Sequence, residues 1–215
     1  YIPPMLGHYY DIIEFFGNQP IINKVYTVSV LKSKELQFEV YNGELKTAAY
    51  NRGDRMVYKF EKRDIMPVHT PRNTVAKSDI LTKLLLSTSP DWYAKSIWFY
   101  GVNEDYGSFT PTKAVKDKVD ELLKPAKTEL DSISILTHWV ADNMRYSGLS
   151  MGPGEGYTLH NAEMNFTDMC GVCKDKASLL IAMLRAAGFK SYAAMTMAGS
   201  RIDRIPADQF NHSVT

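Results

Sequence analysis

The hydrophobic period of this 215-residue chain changes partway along its length, and that change limits what it can fold into. A period of two places apolar residues on one face of a strand, whereas spacings of three and four place them on one face of a helix. Lys24–Val30 alternates, with Val25, Thr27 and Ser29 opposing Tyr26, Val28 and Val30. Leu36–Tyr41 alternates more cleanly, with Leu36, Phe38 and Val40 on one face. Asn42-Gly43 follows, and the extended pattern resumes over Glu44–Tyr50. An Asn-Gly step between two such runs predicts a hairpin, because both turn positions favour residues that accept positive φ. Arg52-Gly53-Asp54 predicts a second turn into the alternating stretch Met56–Glu61. That tripeptide also matches an integrin-ligand motif, but a turn built on glycine explains it more simply. Short strands at this spacing predict an antiparallel sandwich.

Met66–Thr74 carries two prolines and no period, and reads as a loop. Asp91–Tyr100 is dense in aromatics (Trp92, Tyr93, Trp98, Phe99 and Tyr100) and reads as a packing surface between layers rather than a sugar or peptide site. Beyond it the helical period takes over. Pro111 and Thr112 open a helix that runs to about Lys124, with Val115, Val119, Leu122 and Leu123 as its stripe. Pro125 ends it. Thr128 with Asp131 forms a capping pair for a second helix, in which Ile133, Leu136, Val140 and Met144 recur. A glycine-rich loop over Gly148–Gly156, a third helix near Cys173 and strands over Phe189–Met197 and Phe210–Thr215 complete the reading. The expected class is α+β, with a β-sandwich over 1–106, a second domain over 107–215, and the boundary at Tyr106–Thr110.

Composition narrows the functional classes. Lys and Arg number 25 against 24 Asp and Glu, for a formal net charge of +1, so nothing marks a nucleic-acid binder. No apolar run has the length of a membrane span; Ile80–Leu86 is too short. The chain opens on Tyr1 rather than Met, which reads as a fragment whose leader would be lost. Two cysteines make no disulfide framework and leave the compartment open.

The chemistry concentrates in Cys170-Gly171-Val172-Cys173-Lys174-Asp175-Lys176-Ala177. A turn at Gly171 leads into a helix with Ala177, Leu180, Leu184 and Ala187 on one face, and Gly188 stands where a capping glycine belongs. Cys173 therefore falls in the first helical turn. Free N–H groups and the positive dipole end favour a thiolate there, and Lys174 and Lys176 add to the effect. The same N–H groups can donate to an oxyanion. Further on, alternation in Phe210–Thr215 puts His212 on the face of Phe210 and Val214, pointing inward. A helix-borne Cys facing a strand-borne His is a nucleophile–base arrangement.

Gly-Val-Cys-Lys-Asp-Lys-Ala ahead of an apolar helix, followed by Phe-Asn-His-Ser-Val, resembles the signature of bacterial transglutaminase-like proteins of the papain type. Ile135–Val140 and Arg145-Tyr146 resemble the family's helix before the active-site loop. The resemblance covers about Thr110–Thr215. More loosely, Tyr1 to about Asp105 resembles the β-sandwich domain that often precedes such modules. It implies a papain-like core with a Cys–His–Asp triad and no cofactor or metal. Cys173 would be the nucleophile and His212 the general base, acting on a protein or peptide substrate by acyl transfer or amide hydrolysis. It also implies an exported or periplasmic bacterial protein. The family's third acid lies on the strand after the His and is expected beyond Thr215, so the domain reads as incomplete. Asp203 and Asp208 are weak substitutes, and Asp175 is better placed to complement the helix N-terminus than to touch His212. Tyr157 is a candidate oxyanion donor.

Blander readings compete. Cys173 can be an inert core cysteine, although the charges after it argue against burial of the whole segment. Cys170-Gly171-Val172-Cys173 can be a redox Cys-x-x-Cys, although Phe166–Met169 makes a poor preceding strand. Zinc needs more ligands than two cysteines and scattered histidines offer. A non-catalytic peptide or glycan receptor on the same fold is the other class. His8, His69, His138 and His160 each have a surface or packing role, with His160 the one worth testing. Asn165-Phe166-Thr167 and Asn211-His212-Ser213 match glycosylation sequons, which are common by chance.

Overall fold

The computed structural model describes residues 7–147 and 159–215. The chain forms two compact units, 1–95 with 197–209 and 96–196 with 210–215. The class is α+β, with antiparallel sheets in the first unit and a helical core in the second.

The first unit contains β1 (Tyr10–Glu14), β2 (Ile21–Leu31), β3 (Gln37–Tyr41), β4 (Lys46–Arg52), β5 (Arg55–Ile65), a single helical turn α1 (Lys77–Ile80) and β6 (Lys83–Ser87). They build two three-stranded antiparallel sheets, ordered β1-β6-β3 and β2-β5-β4. Val28, Val30 and Phe60 from one sheet meet Ile13, Leu84 and Leu86 from the other in a shared core. Phe38 packs edge-on against Tyr58 and Phe60 at 5.7 and 5.0 Å between ring centroids. Period-two burial thus sets the faces of β2, as the alternation implies; in β5 Met56, Tyr58 and Phe60 face the core, but Val57 and Glu61 are buried as well.

Strand pairing differs from the expectation at Asn42-Gly43. Both residues have positive φ, 58° and 153°, so a turn forms there. The strands it joins, however, do not pair: β3 lies beside β6, and β4 lies beside β5. The turn carries the chain from one sheet to the other. Close packing holds it in place, since a Cβ on Gly43 would fall 2.3 Å from Thr82 Oγ1. The hairpin turn is the Arg52-Gly53-Asp54 step, with Gly53 at φ 62° and Arg52 paired to Arg55.

Strand β6 is buried along its whole length, including Lys83. Leu84 and Leu86 face the sandwich core, while Leu85 packs against Ile205 and Ala207. The segment 197–209 therefore covers the outer face of this sheet. Lys83 forms an ion pair there with Asp203, and the Ser87 hydroxyl donates to the Pro206 carbonyl at 3.1 Å.

Helix α2 (Trp92–Tyr106) follows, and the division between units falls inside it. The aromatic-rich stretch is thus a helix. Near its start Lys95 is buried, 5.0 Å from the Tyr10 ring and 5.7 Å from the Trp92 ring, with Asp208 at 3.9 Å. Burial pulls the Lys95 ammonium down from 10.5 to about 8, and Asp208 offsets only part of that. Between those two values the unfolded chain holds a proton that the native chain has released, so stability rises with pH. Above 10 the sign reverses. Burial first, then hydrogen bonds (to Glu39 for Tyr41, to Tyr9 and Asp11 for Tyr26), push Tyr41 up to about 12 and Tyr26 higher still, so the native chain keeps protons the unfolded chain has lost. The urea midpoint is expected to climb from pH 8 to about pH 10, by on the order of 1 kcal/mol, and then fall. Lys95→Met should remove the climb; an unchanged profile in that variant would contradict this.

The second unit holds the rest of α2, then α3 (Lys113–Leu122), α4 (Glu129–Asn143), β7 (Arg145–Tyr146), α5 (Ala162–Asp168), β8 (Cys170–Gly171), α6 (Cys173–Ala186), β9 (Ala194–Thr196) and β10 (His212–Val214). Thr112 caps α3, and Thr128 with Asp131 forms a full capping box on α4. Helix α6 is central and buried on nearly all sides rather than along one stripe: Ala177, Ser178, Leu179 and Ile181–Leu184 are all inside. Val115 and Val119 of α3 and Leu136 and Val140 of α4 pack around it. Ile133, expected in the α4 stripe, is 38% exposed. Gly188, at φ 89°, ends α6 with the Phe189 N–H on the Leu184 carbonyl and its own N–H on Arg185, a Schellman closure.

Candidate active site

Cys173 is the first residue of α6, directly after an extended Val172 (φ −98°, ψ −171°). Two features hold this turn. Strand β8 runs parallel to β7, pairing Arg145 with Cys170 and Tyr146 with Gly171. The Asp175 carboxylate accepts the Val172 N–H at 2.9 Å, as a residue that complements a helix N-terminus should. The Asp175 and Lys176 amides go to the Val172 carbonyl at 3.1 and 3.0 Å. The Cys173 amide, at the first helical position, has no intrahelical acceptor by construction. The half-buried thiol thus sits at the positive end of a 14-residue helix.

His212 lies on β10, paired with Thr196 of β9. Cys173 and His212 line one cavity of about 340 Å³, together with Val140, Ala141, Leu180 and Val214. The strand around His212 is shorter than expected and its faces differ. Ser213 is its buried residue at 4% exposure, whereas Val214 is 38% exposed. The His212 face opens on the cavity instead of the core. Lys176 lines the same cavity, but its ammonium donates to the Ala141 carbonyl at 2.9 Å.

The weaker candidates have other partners. Asp203 pairs with Lys83 and Arg201, and Asp208 accepts from Tyr10 at 3.3 Å beside Lys95. Among the described residues no carboxylate is hydrogen-bonded to His212. Tyr157 lies outside the described residues. His138 is an exposed helix residue whose ring contacts Ser134. His160, by contrast, is 3% exposed and pairs with Asp175 at 3.2 Å. Nothing in the local sequence around His160 signals that pairing, which closes across two elements.

Backbone geometry weighs against the redox alternative. Both cysteines are free. Gly171 belongs to strand β8 and Val172 is extended, so Cys170 lies three extended steps from Cys173. At about 3.3 Å per step that is roughly 10 Å between Cα atoms. A disulfide needs less than about 7 Å. Among the described residues no group of three or more His, Cys, Asp or Glu side chains could hold a metal ion, and no helix is long and apolar enough to cross a membrane.

A family model described as the transglutaminase-like superfamily matches residues 116–212, from within α3 to His212 itself. Residues 116–212 are a transglutaminase-like superfamily domain. The transglutaminase-like domain is embedded in a fold seen before. A crystal structure of a "putative protease" from Parabacteroides distasonis ATCC 8503 superposes with a TM-score of 0.76 at 16% identity, over 96% of this chain. At that identity the likeness is one of fold, and it extends to the N-terminal sheets. This chain spans only 40% of that structure's length. A "putative cysteine protease" from Cytophaga hutchinsonii aligns more distantly, with a TM-score of 0.34 and 12% identity over 84% of this chain and 66% of that one. No curated protein matches the chain closely enough to count as a relative.

Proposed function

We propose that the transglutaminase-like domain performs cysteine-dependent acyl transfer or hydrolysis on amides of protein or peptide substrates, with Cys173 as nucleophile and His212 as general base. The observation that carries this reading is the shared cavity: a sulfur at a helix N-terminus and an imidazole on a separate strand line one apolar pocket. His212 takes the thiol proton as the sulfur bonds to the amide carbonyl carbon, and the helix N-terminus stabilises the oxyanion. His212 then protonates the departing amine as the C–N bond breaks, leaving a thioester on Cys173. Water or a second amine attacks the thioester and regenerates the thiol. A triad acid, expected on a strand following His212, would hold the imidazole in its working tautomer. No step calls for a metal or organic cofactor.

The direct test presents glutamine-containing peptides and a fluorescent primary amine to the full chain. A covalent acyl adduct on Cys173 by intact mass, with amine incorporation or free acid formation, is the expected result. Peptide binding with no adduct and no turnover would mark a non-catalytic receptor instead.

A further inference from the structure

Beneath the nucleophile's turn lies a buried pair that the proposed chemistry leaves unused. Asp175 and His160 are 1% and 3% exposed, and His160 Nδ1 stands 3.2 Å from Asp175 Oδ1. Asp175 Oδ1 is buried with no aligned hydrogen-bond partner among the described residues, and Nδ1 is the ring nitrogen that stands within 3.2 Å of it. The other carboxylate oxygen, Oδ2, accepts the Val172 N–H at 2.9 Å. The His160 backbone is itself fixed: its carbonyl accepts from Asn165 Nδ2 at 3.1 Å and from the Ser178 hydroxyl at 2.9 Å. His160 Nε2 is buried and has no hydrogen-bond partner among the described residues.

Two positions along a helix turn a side chain by about 200°, so Asp175 points away from Cys173. His160 is therefore on the wrong side of α6 to serve as the base. It is placed to hold Asp175, and Asp175 holds the amide immediately before the nucleophile.

We infer that His160 is a positioning residue for Cys173, acting through Asp175 to fix the first turn of α6. This rests on the proposed role of Cys173. Nδ1 faces the carboxylate and Nε2 faces no partner among the described residues, so a hold on Asp175 acts through the Nδ1 position, which gives a specific substitution pattern. Asparagine places an amide N–H near Nδ1, glutamine places it near Nε2, and leucine supplies none.

The test measures iodoacetamide alkylation of Cys173 at pH 7 in the full chain, with the thermal midpoint of each variant. His160→Leu and His160→Gln are expected to slow alkylation by about fivefold to tenfold, and His160→Asn to restore it to within about twofold. Should His160→Leu fail to fold, the contrast between Asn and Gln decides alone. Equal slowing in all three, tracking the loss of thermal stability, would reduce His160 to a packing residue and overturn the inference. Unchanged rates in the His160 variants together with a slowed His212→Ala would also overturn it while leaving the proposed function standing. Unchanged rates in the His160 variants and in His212→Ala would overturn both.

Discussion

Cys173→Ala is expected to reduce amide turnover to the uncatalysed level, a loss on the order of 10⁴-fold or more. The size follows from covalent catalysis: without the sulfur no thioester forms, and neither helix N-terminus nor cavity can substitute for it. His212→Ala should fall nearly as far. Groups that act as one unit do not lose activity additively, so the double variant should be little worse than either single one. Cys173 is only half-buried, so its replacement should cost less than about 1 kcal/mol of stability. Cys170→Ala, with its Cα roughly 10 Å from that of Cys173 along an extended backbone, should retain turnover. Equal loss from both cysteine variants would instead support a dithiol mechanism, and full activity in Cys173→Ala would remove the nucleophile assignment.

Gly171→Ala should destabilise the fold by about 3 kcal/mol, a large effect for one methyl group. A Cβ at this position would fall 2.6 Å from Asp175 Cβ and 2.7 Å from its Oδ2. A flexible surface side chain would swing aside, but Asp175 is 1% exposed and held by both Val172 and His160. Making room breaks the buried Asp175–His160 contact and frees the amide that precedes Cys173, and both are costly where water cannot replace the lost partner. Urea unfolding reads the stability. A loss below about 1 kcal/mol would show that Asp175 can relocate and that the turn is less constrained than its contacts imply.

Local signals in this chain were legible and long-range ones were not. Thr112, the Thr128–Asp131 box and Gly188 each act within a turn of their own position, so residue identity was enough to place them. Alternation likewise gave the core faces of β2 and β5. Which strands pair is a different matter. Asn42-Gly43 has the backbone of a tight turn, yet its flanking strands belong to different sheets, because β3 pairs with the sequence-distant β6 while β4 pairs with β5 across the next turn. Strand β6 shows no alternation, since its outer face is covered by a segment more than a hundred residues later. Helix α2 was hidden by its aromatics: with Tyr93, Ile97 and Tyr100 exposed and Phe99 buried, it has no single apolar stripe. At the site, Cys173 was visible from its place before an apolar helix. The His160–Asp175 pair was not, because two ordinary residues come together in a buried contact only when α6 packs beside the segment that leads into α5.

The pairing of thiol and imidazole is open to a single rate measurement. Iodoacetamide should modify Cys173 near neutral pH much faster than Cys170, and His212→Ala should remove most of that advantage. If both cysteines react at the same rate, and His212→Ala changes neither, then the sulfur and the imidazole that line this cavity do not work together.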